Sequence, residues 1–494
     1  MLTPVSRAEP NVCDKFVAIA VCAMVIVTCI VTPLRMIACG YVPDTDVRRH
    51  AALAVSGKSL NDVLIVQNEP FVDPSPGWHT ALRGLHLLLG WQKEKLITFS
   101  VIALFLLLNV CGLFWTRAEG WMLALALVAS SSMSVAHRLT LGRPFLFTAS
   151  VVIFLLFLWG NQADKPRFRL RAIVGLTIAL IAASTWIHGS WYLFLLLVAA
   201  LLFAGQFKKA AMFAGCFVLG CFVGACLTGH PMTFLSSPVS LTIGAFARGI
   251  PKSLLVSEFQ EFREPLTPLL IIAGMLIWRT ARSKDASQFA RDPAFMLVLL
   301  CWLLGLNVAR FWLDWGLPAM LVWCSREFNS ALTPWLAGQP LRRLTMTLFA
   351  CMAVFFLISN DVDERWSRVT ASEPPAEAVR SFGDWFPGEG GIVYSAYMKT
   401  FYDLFYWYPH ADWKYVLGFE PGLMRGEDLS TFINIRQAGH NSDTIRPWIQ
   451  KMRPEDRLVV TASRRPELPE LEWRYLHDTL WFGRLPRVPS TGRQ

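Results

Sequence analysis

The polar positions of this 494-residue chain fall in short clusters between long apolar runs. Those runs are about 15 to 24 residues long, enough to cross a hydrocarbon core as helices. Eleven spans can be drawn, at 16–38, 96–115, 120–137, 145–160, 172–187, 190–207, 210–228, 266–279, 294–309, 312–325 and 344–359. A shorter run, "HTALRGLHLLLGW" (79–91), is apolar on one side and reads as an interfacial helix. From about residue 360 the pattern changes to charged residues with Trp, Tyr and Pro. There "GGIVYSA" and "DRLVVTAS" read as short buried strands and "EDLSTFINIRQAG" as a helix. The expected architecture is a polytopic α-helical membrane protein of about 11 transmembrane helices. Its membrane part covers 1–359, with outer loops at 40–95 and 229–265, and a small extracytoplasmic α/β domain covers 360–494.

Composition agrees with that class. Hydrophobic residues make up 54% and charged residues 17%, and the mean hydropathy is +0.41, outside soluble globular usage. The formal charge of +10 is scattered over short inter-span loops, which excludes a nucleic-acid surface and reads as an orientation signal. Arg7 and Lys15, Arg117, "KPRFRLR" (165–171), Lys208 and Lys209, the 279–291 cluster, Arg326, Arg342 and Arg343 form the cytoplasmic set. The N-terminus is then cytoplasmic, and the C-terminal domain lies on the periplasmic side of the inner membrane. The first run has no small-residue cleavage site after it and reads as a retained anchor. Most of the eleven cysteines sit inside spans with no paired spacing, which suits small buried hydrophobes.

Ionisable groups gather at the outer ends of the spans. The first outer loop carries Asp44, Asp46, His50, Asp62, Glu69, Asp73, Trp78 and His79. The second, "HRLTLGRP", holds Arg138 and Arg143; the third, "WIHGSW", holds His188. The fourth contains Glu258 within "SEFQEFRE", and the fifth, "NVARFWLDW", has Arg310 and Asp314. Charges at such depth are costly unless they work. Carboxylates can take a proton from an attacking hydroxyl. Arginines hold phosphate and stabilise charge on a phosphate leaving group. Apolar span walls beside them suit a lipid tail. Together they describe group transfer from a lipid phosphate to an alcohol. Walker A, HExxH and Gly-rich dinucleotide patterns are missing from the sequence, so the corresponding ATP, zinc-protease and NAD readings lack their parts.

The layout resembles the GT-C fold membrane glycosyltransferases, which use polyprenyl-phosphate-linked sugars. "PDTDVRRHA" after the first span, the later Trp78–His79 pair, "GRP" at 142–144, "HG" at 188–189 and "ARFW" at 309–312 carry the likeness. "YSAYMKTFYDLFYWYPHADWKYVLGFEPGLM" is similar to the soluble domain of bacterial GT-C-like proteins. A counterpart of the WWDYG-type motif of oligosaccharyltransferases is not found. The resemblance implies transfer of a sugar from a polyprenyl phosphate embedded in membrane lipid to a hydroxyl of a glycan, lipid or protein acceptor. Asp46 is then the expected general base, with Asp44 its neighbour or the alternative base. Arg143 and Arg310 would clamp the lipid phosphate, and His188 would bond to it or to the sugar, with His50 and Glu258 also lining the substrate site. Asp44 and Asp46 could instead share Mg²⁺ or Mn²⁺ with the phosphate, or form a solvated turn. Two other functions stay open: a non-catalytic subunit working with envelope-assembly proteins, and a lipid-linked glycan transporter.

Overall fold

The apolar runs form helices largely where the hydropathy pattern puts them. The structure, a computed structural model, describes residues 12–43, 46–67, 71–160, 169–282, 286–361, 364, 367, 374, 376–477 and 479–486. In chain order the first helices are α1 (Val12–Ala38), α2 (Asp46–Ser56), α3 (Pro76–Leu89), α4 (Lys93–Leu113), α5 (Ala118–Ala129), α6 (Phe145–Trp159), α7 (Leu170–Ile187), α8 (Leu195–Phe203) and α9 (Phe207–Cys226). They continue with α10 (Pro231–Ala247), α11 (Leu266–Arg282), α12 (Pro293–Gly305), α13 (Leu317–Leu336), α14 (Pro340–Ser359), α15 (Met398–Trp407) and α16 (Gly426–Ala438). Among the described residues, five helices are long and apolar enough to cross a membrane: α1, α4, α7, α9 and α14. Other expected spans fall on shorter apolar helices, such as α5, α6 and α12. The chain is a membrane protein, and side chains such as Phe16, Ile19, Phe203, Val218 and Phe349 stand exposed on these helices as lipid-facing groups would.

Three expected boundaries differ. The run 120–137 is broken: α5 ends at Ala129, and the Ser132 hydroxyl caps a separate short helix, Met133–Arg138. The expected loop 229–265 contains α10, which starts at Pro231 and carries Pro238 inside it. The run 312–325 begins as a π-helical turn, Phe311–Gly316, before α13. By contrast, the segment 79–91 is helical up to Leu89, on α3.

Small residues set a close contact between α7 and α9. Gly220 and Gly224, four apart on α9, lie against the backbone of α7 at Ile178 and Ala182, where a Cβ would collide. This is the small-xxx-small packing that membrane helices use. Arg343, Arg326 and Lys209 of the basic set meet their partners at one end of the bundle. There Arg343 pairs with buried Glu119, Arg326 with Asp292 (3.0 Å), and Lys209 donates to the Trp159 carbonyl (3.1 Å).

At the opposite end stands a five-stranded sheet, in the order β2 (Lys414–Tyr415), β1 (Ile392–Ser395), β3 (Arg457–Thr461), β5 (Leu480–Arg484) and β4 (Glu472–His477). β2, β1 and β3 run parallel, and β5 is antiparallel to both β3 and β4. The first loop packs into this unit. The Ile65 amide donates to the Tyr415 carbonyl (2.9 Å) and the Gln67 amide to that of Leu423 (3.0 Å). α15 lies against α2, where the buried Arg48 Nη1 donates to Asp403 Oδ1 at 2.8 Å.

Candidate active site

The expected site residues that are described converge on one cavity of about 300 Å³, at the bundle end that carries the sheet. Asp46, His50, Arg143, His188, Glu258 and Arg310 all line it. Asp44 and Glu69 lie outside the described residues. Asp46 opens α2, so its side chain sits at the helix mouth, and His50 follows one turn later on the same face. Arg143 follows Gly142, whose φ of +64° suits glycine and whose Cβ position is closed by Val101. Arg310 stands just before the π turn, which swings Asp314 toward it, Nε to Oδ2 3.4 Å.

The charges interlock. Arg143 bridges two acids: Nη2 donates to Asp46 Oδ2, and Nη1 to Glu258 Oε1 at 2.7 Å. Glu258 Oε1 also accepts from Arg138 Nη1 (3.1 Å), and Arg138 Nε reaches Asp314 Oδ1 at 3.0 Å. Asp46 Oδ1 accepts from the Tyr402 hydroxyl (3.0 Å) and faces Arg49 Nη2 at 3.3 Å. Burial pushes the Asp46 carboxyl up, but Arg143 and Arg49 outweigh it and hold it below the usual carboxylate value. Burial is likewise outweighed at Glu258, where Arg143 and Arg138 keep the group ionised. His188 is held neutral by burial and then by Arg310; it rests between the Thr148 hydroxyl (Nδ1, 3.2 Å) and that of Ser190 (Nε2, 3.4 Å). Arg310 Nη2 donates to that same Ser190 hydroxyl at 2.5 Å.

Arg49, Glu420 and, at its Nε, Arg310 carry unmet hydrogen-bonding capacity in the lining. Arg49, 4% exposed, lies over the Phe419 ring at 3.9 Å, with its Nε and Nη1 buried and unbonded. Glu420, 5% exposed, has Oε1 buried without a partner. Burial, with the Glu258 charge behind it, pushes the Glu420 carboxyl up to about 8. The lining holds four arginines (Arg49, Arg138, Arg143, Arg310) and four carboxyl groups (Asp46, Glu258, Asp314, Glu420). With Glu420 protonated near neutral pH, the cavity keeps one positive charge in excess, which favours an anion.

Both oxygens of Asp46 are engaged by arginines and Tyr402, and Asp44, with which it could share a divalent cation, lies outside the described residues. Among the described residues, no group of three or more His, Cys, Asp or Glu is placed to hold a metal.

Sequence reasoning placed Arg138 and Asp314 on the right loops without assigning them a role. It missed Tyr402, Phe419 and Glu420, which come from the C-terminal unit. Their one signal was the density of aromatic residues around "FYDLFYWYPH", which could have marked a surface that packs on the site.

No protein-family model matches the chain, and no curated protein matches it. Solved structures do. The chain is similar to ArnT from Cupriavidus metallidurans bound to undecaprenyl phosphate, with a TM-score of 0.56 at 13% identity over 96% of this chain and 99% of that one. It is also similar to the archaeal oligosaccharyltransferase AglB from Archaeoglobus fulgidus in complex with an inhibitory peptide and a dolichol-phosphate. There the TM-score is 0.51 at 10% identity, over 90% of this chain and 69% of that one. The fold shared with these two structures is the one the first outer loop and its companion motifs resemble: this chain has the GT-C fold.

Proposed function

We propose that this chain is a membrane glycosyltransferase that moves a sugar from a polyprenyl-phosphate donor to an acceptor hydroxyl at the outer face of the membrane. The observation that carries the reading is the arginine set at the span ends, with Arg49 buried and two of its nitrogens unbonded. A phosphate supplies the acceptors those donors lack. An open cavity also separates a working site from a scaffold, in which that space would be filled. Both neighbouring structures carry a polyprenyl phosphate, undecaprenyl phosphate in one and dolichol-phosphate in the other, and that supports the same donor class here. The outer-face assignment, with 360–494 extracytoplasmic in the inner membrane, rests on the positive-inside rule. It is supported by Arg343, Arg326 and Lys209 of the basic set, which meet their partners at the end remote from the cavity.

In this reading Arg143, Arg310 and Arg49 hold the donor phosphate, and His188 donates or accepts beside it. The acceptor hydroxyl gives its proton to a base in the site, and its oxygen bonds to the anomeric carbon as the bond from that carbon to the phosphate oxygen breaks, the electron pair leaving on the phosphate. Asp46, kept ionised by its partners, stabilises positive charge developing on the sugar and orients the acceptor hydroxyl. Arg143 also couples the two halves. When it turns toward the phosphate, Asp46 loses a partner and its oxygen becomes available to the acceptor.

The test uses the full-length protein in nanodiscs. Native mass spectrometry should show one undecaprenyl phosphate bound per chain. A panel of undecaprenyl-phosphate hexoses, tritiated in the sugar, should lose label to acceptors in added host membranes. Neither binding nor transfer across the panel would remove the reading.

A further inference from the structure

Behind the cavity wall runs a chain of three side chains that the transfer scheme above leaves unused. Asp73 Oδ1 accepts the Ser75 amide at 2.9 Å, and Asp73 Oδ2 lies 2.5 Å from His79 Nδ1. His79 Nε2 lies 2.6 Å from His50 Nδ1. His50 itself lines the cavity, one helical turn from Asp46. Asp73 is half-buried in the first loop just before α3, His79 belongs to α3 and His50 to α2. Two helices, α2 and the start of α3, therefore meet to make the line.

Hydrogen-bond logic fixes where the protons are. An ionised Asp73 can only accept, so His79 Nδ1 carries its hydrogen. Arg49 Nη2 faces His50 Nε2 with hydrogens only, so a neutral His50 carries its hydrogen on Nδ1 and donates it to His79 Nε2. That leaves the lone pair of His50 on Nε2, 3.5 Å from Arg49 Nη2. The opposite arrangement would set an N–H of His50 against an N–H of Arg49.

We propose that His50 is the proton acceptor for the incoming hydroxyl and that His79 and Asp73 are positioning residues that relay the charge away from the site. The proposal rests on the transferase reading for its chemistry, although the proton arrangement stands without it. In the step, the acceptor O–H proton goes to His50 Nε2, and the His50 Nδ1 proton passes to His79 Nε2. The acceptor oxygen bonds to the anomeric carbon, and the bond to the phosphate oxygen breaks with its electron pair. The positive charge ends on His79 beside the Asp73 carboxylate, away from the arginines that hold the phosphate. After the products leave, the relay resets by returning its proton to water in the cavity.

In the resting structure the oxygens of Asp46 are engaged by Arg143, Arg49 and Tyr402. At rest the His50 imidazole is kept neutral by burial and then by Arg49, with His79, Arg143 and His188 adding to the same effect. A bound phosphate offsets the arginine field, so His50 becomes a competent base only when donor is present.

The experiment reads tautomers directly. Full-length protein labelled with ¹⁵N-histidine, in nanodiscs at neutral pH, should show one coupled His–His pair across an N–H···N bond. In that pair His50 should be protonated on Nδ1 and bare on Nε2, the opposite of the form free imidazole side chains prefer. Asp73→Asn should abolish that fixed pattern and lower kcat about 100-fold, a typical share for general-base catalysis. Binding of undecaprenyl phosphate should stay within about twofold, which excludes a folding defect. A proton on His50 Nε2 in the wild type, or an unchanged kcat in an Asp73→Asn variant that has lost the pattern, would overturn the proposal. If the wild type transfers no sugar from any donor tried, the function reading fails, and the tautomer measurement still decides whether the relay exists.

Discussion

Replacing Arg143 with Ala separates the work this side chain does for the fold from the work it does for a ligand. In the resting structure it bridges Asp46 and Glu258, with its side chain 20% exposed. Neither acid is orphaned when it goes: Asp46 keeps Arg49 and the Tyr402 hydroxyl, and Glu258 keeps Arg138 at 3.1 Å. The loss of stability should therefore fall below the roughly 3–5 kcal/mol of a broken buried pair whose partner is left alone. The phosphate has no such substitute. A hydrogen bond to a charged group contributes about 1.5–3 kcal/mol, so undecaprenyl phosphate should bind about 10- to 150-fold more weakly. The Arg143→Ala, Glu258→Gln double variant removes the surplus negative charge as well. It should regain thermal stability without regaining ligand affinity, and Arg143→Lys should recover little affinity because an ammonium cannot make the planar fork. Native mass spectrometry for binding and scanning fluorimetry for stability measure the two effects independently. Wild-type affinity in Arg143→Ala, within about twofold, would show that Arg143 is a structural bridge and not a phosphate ligand.

Asp46→Asn keeps the shape of the side chain but removes the charge that holds Arg143 and Arg49; transfer of tritiated sugar should fall about 100-fold or more, while the protein still inserts. Near-wild-type transfer would remove Asp46 from the chemistry. Burial raises the Glu420 carboxyl in the folded protein to about 8, so it is neutral below that pH and ionises as pH rises through it, cancelling the positive excess of the cavity. Undecaprenyl phosphate binding should weaken above about pH 8 in the wild type and lose that inflection in Glu420→Gln; parallel profiles would contradict the assignment. A chelator should leave transfer unchanged if the arginines beside Asp46 do the work of a metal, and loss with rescue by Mn²⁺ or Mg²⁺ would assign a divalent cation to the site. A reporter active only outside the cytoplasm should work when fused after residue 365 and stay silent near residue 284; the opposite pair would turn the site inward.

Sequence and structure part company where a contact depends on three-dimensional placement. The helices were legible because lipid demands long apolar runs, and the site loops were legible because charges at span ends are costly without a purpose. The break at Ser130–Ser132 was not, since three serines scarcely lower the hydropathy of a run while one of them can cap a new helix. Pairing was equally hidden: Arg143 meets Asp46 across 97 positions and Glu258 across 115. Each of these groups was singled out as a candidate, yet nothing in the order of residues says that the arginine expected to clamp phosphate is already held by the carboxylate expected to act as base.

The C-terminal unit shows the same limit from the other side. Its strands and helix at 392–395, 457–461 and 426–438 follow the local pattern closely. Its part in the site does not, because Tyr402 reaches Asp46 from 356 positions away and Glu420 enters a cavity otherwise built from span ends. The docking explains why those positions are polar in an aromatic stretch. α15 must present apolar residues to α2 and the sheet while offering Tyr402 to Asp46 and Asp403 to Arg48. Arg248 of the membrane part returns the contact by donating to the Gly422 carbonyl at 2.8 Å, two residues beyond Glu420. A unit tied to the bundle on both sides of the cavity is a wall of the site. Its position therefore bears on how Arg49, stacked on Phe419, and the unbonded oxygen of Glu420 meet whatever the arginines hold.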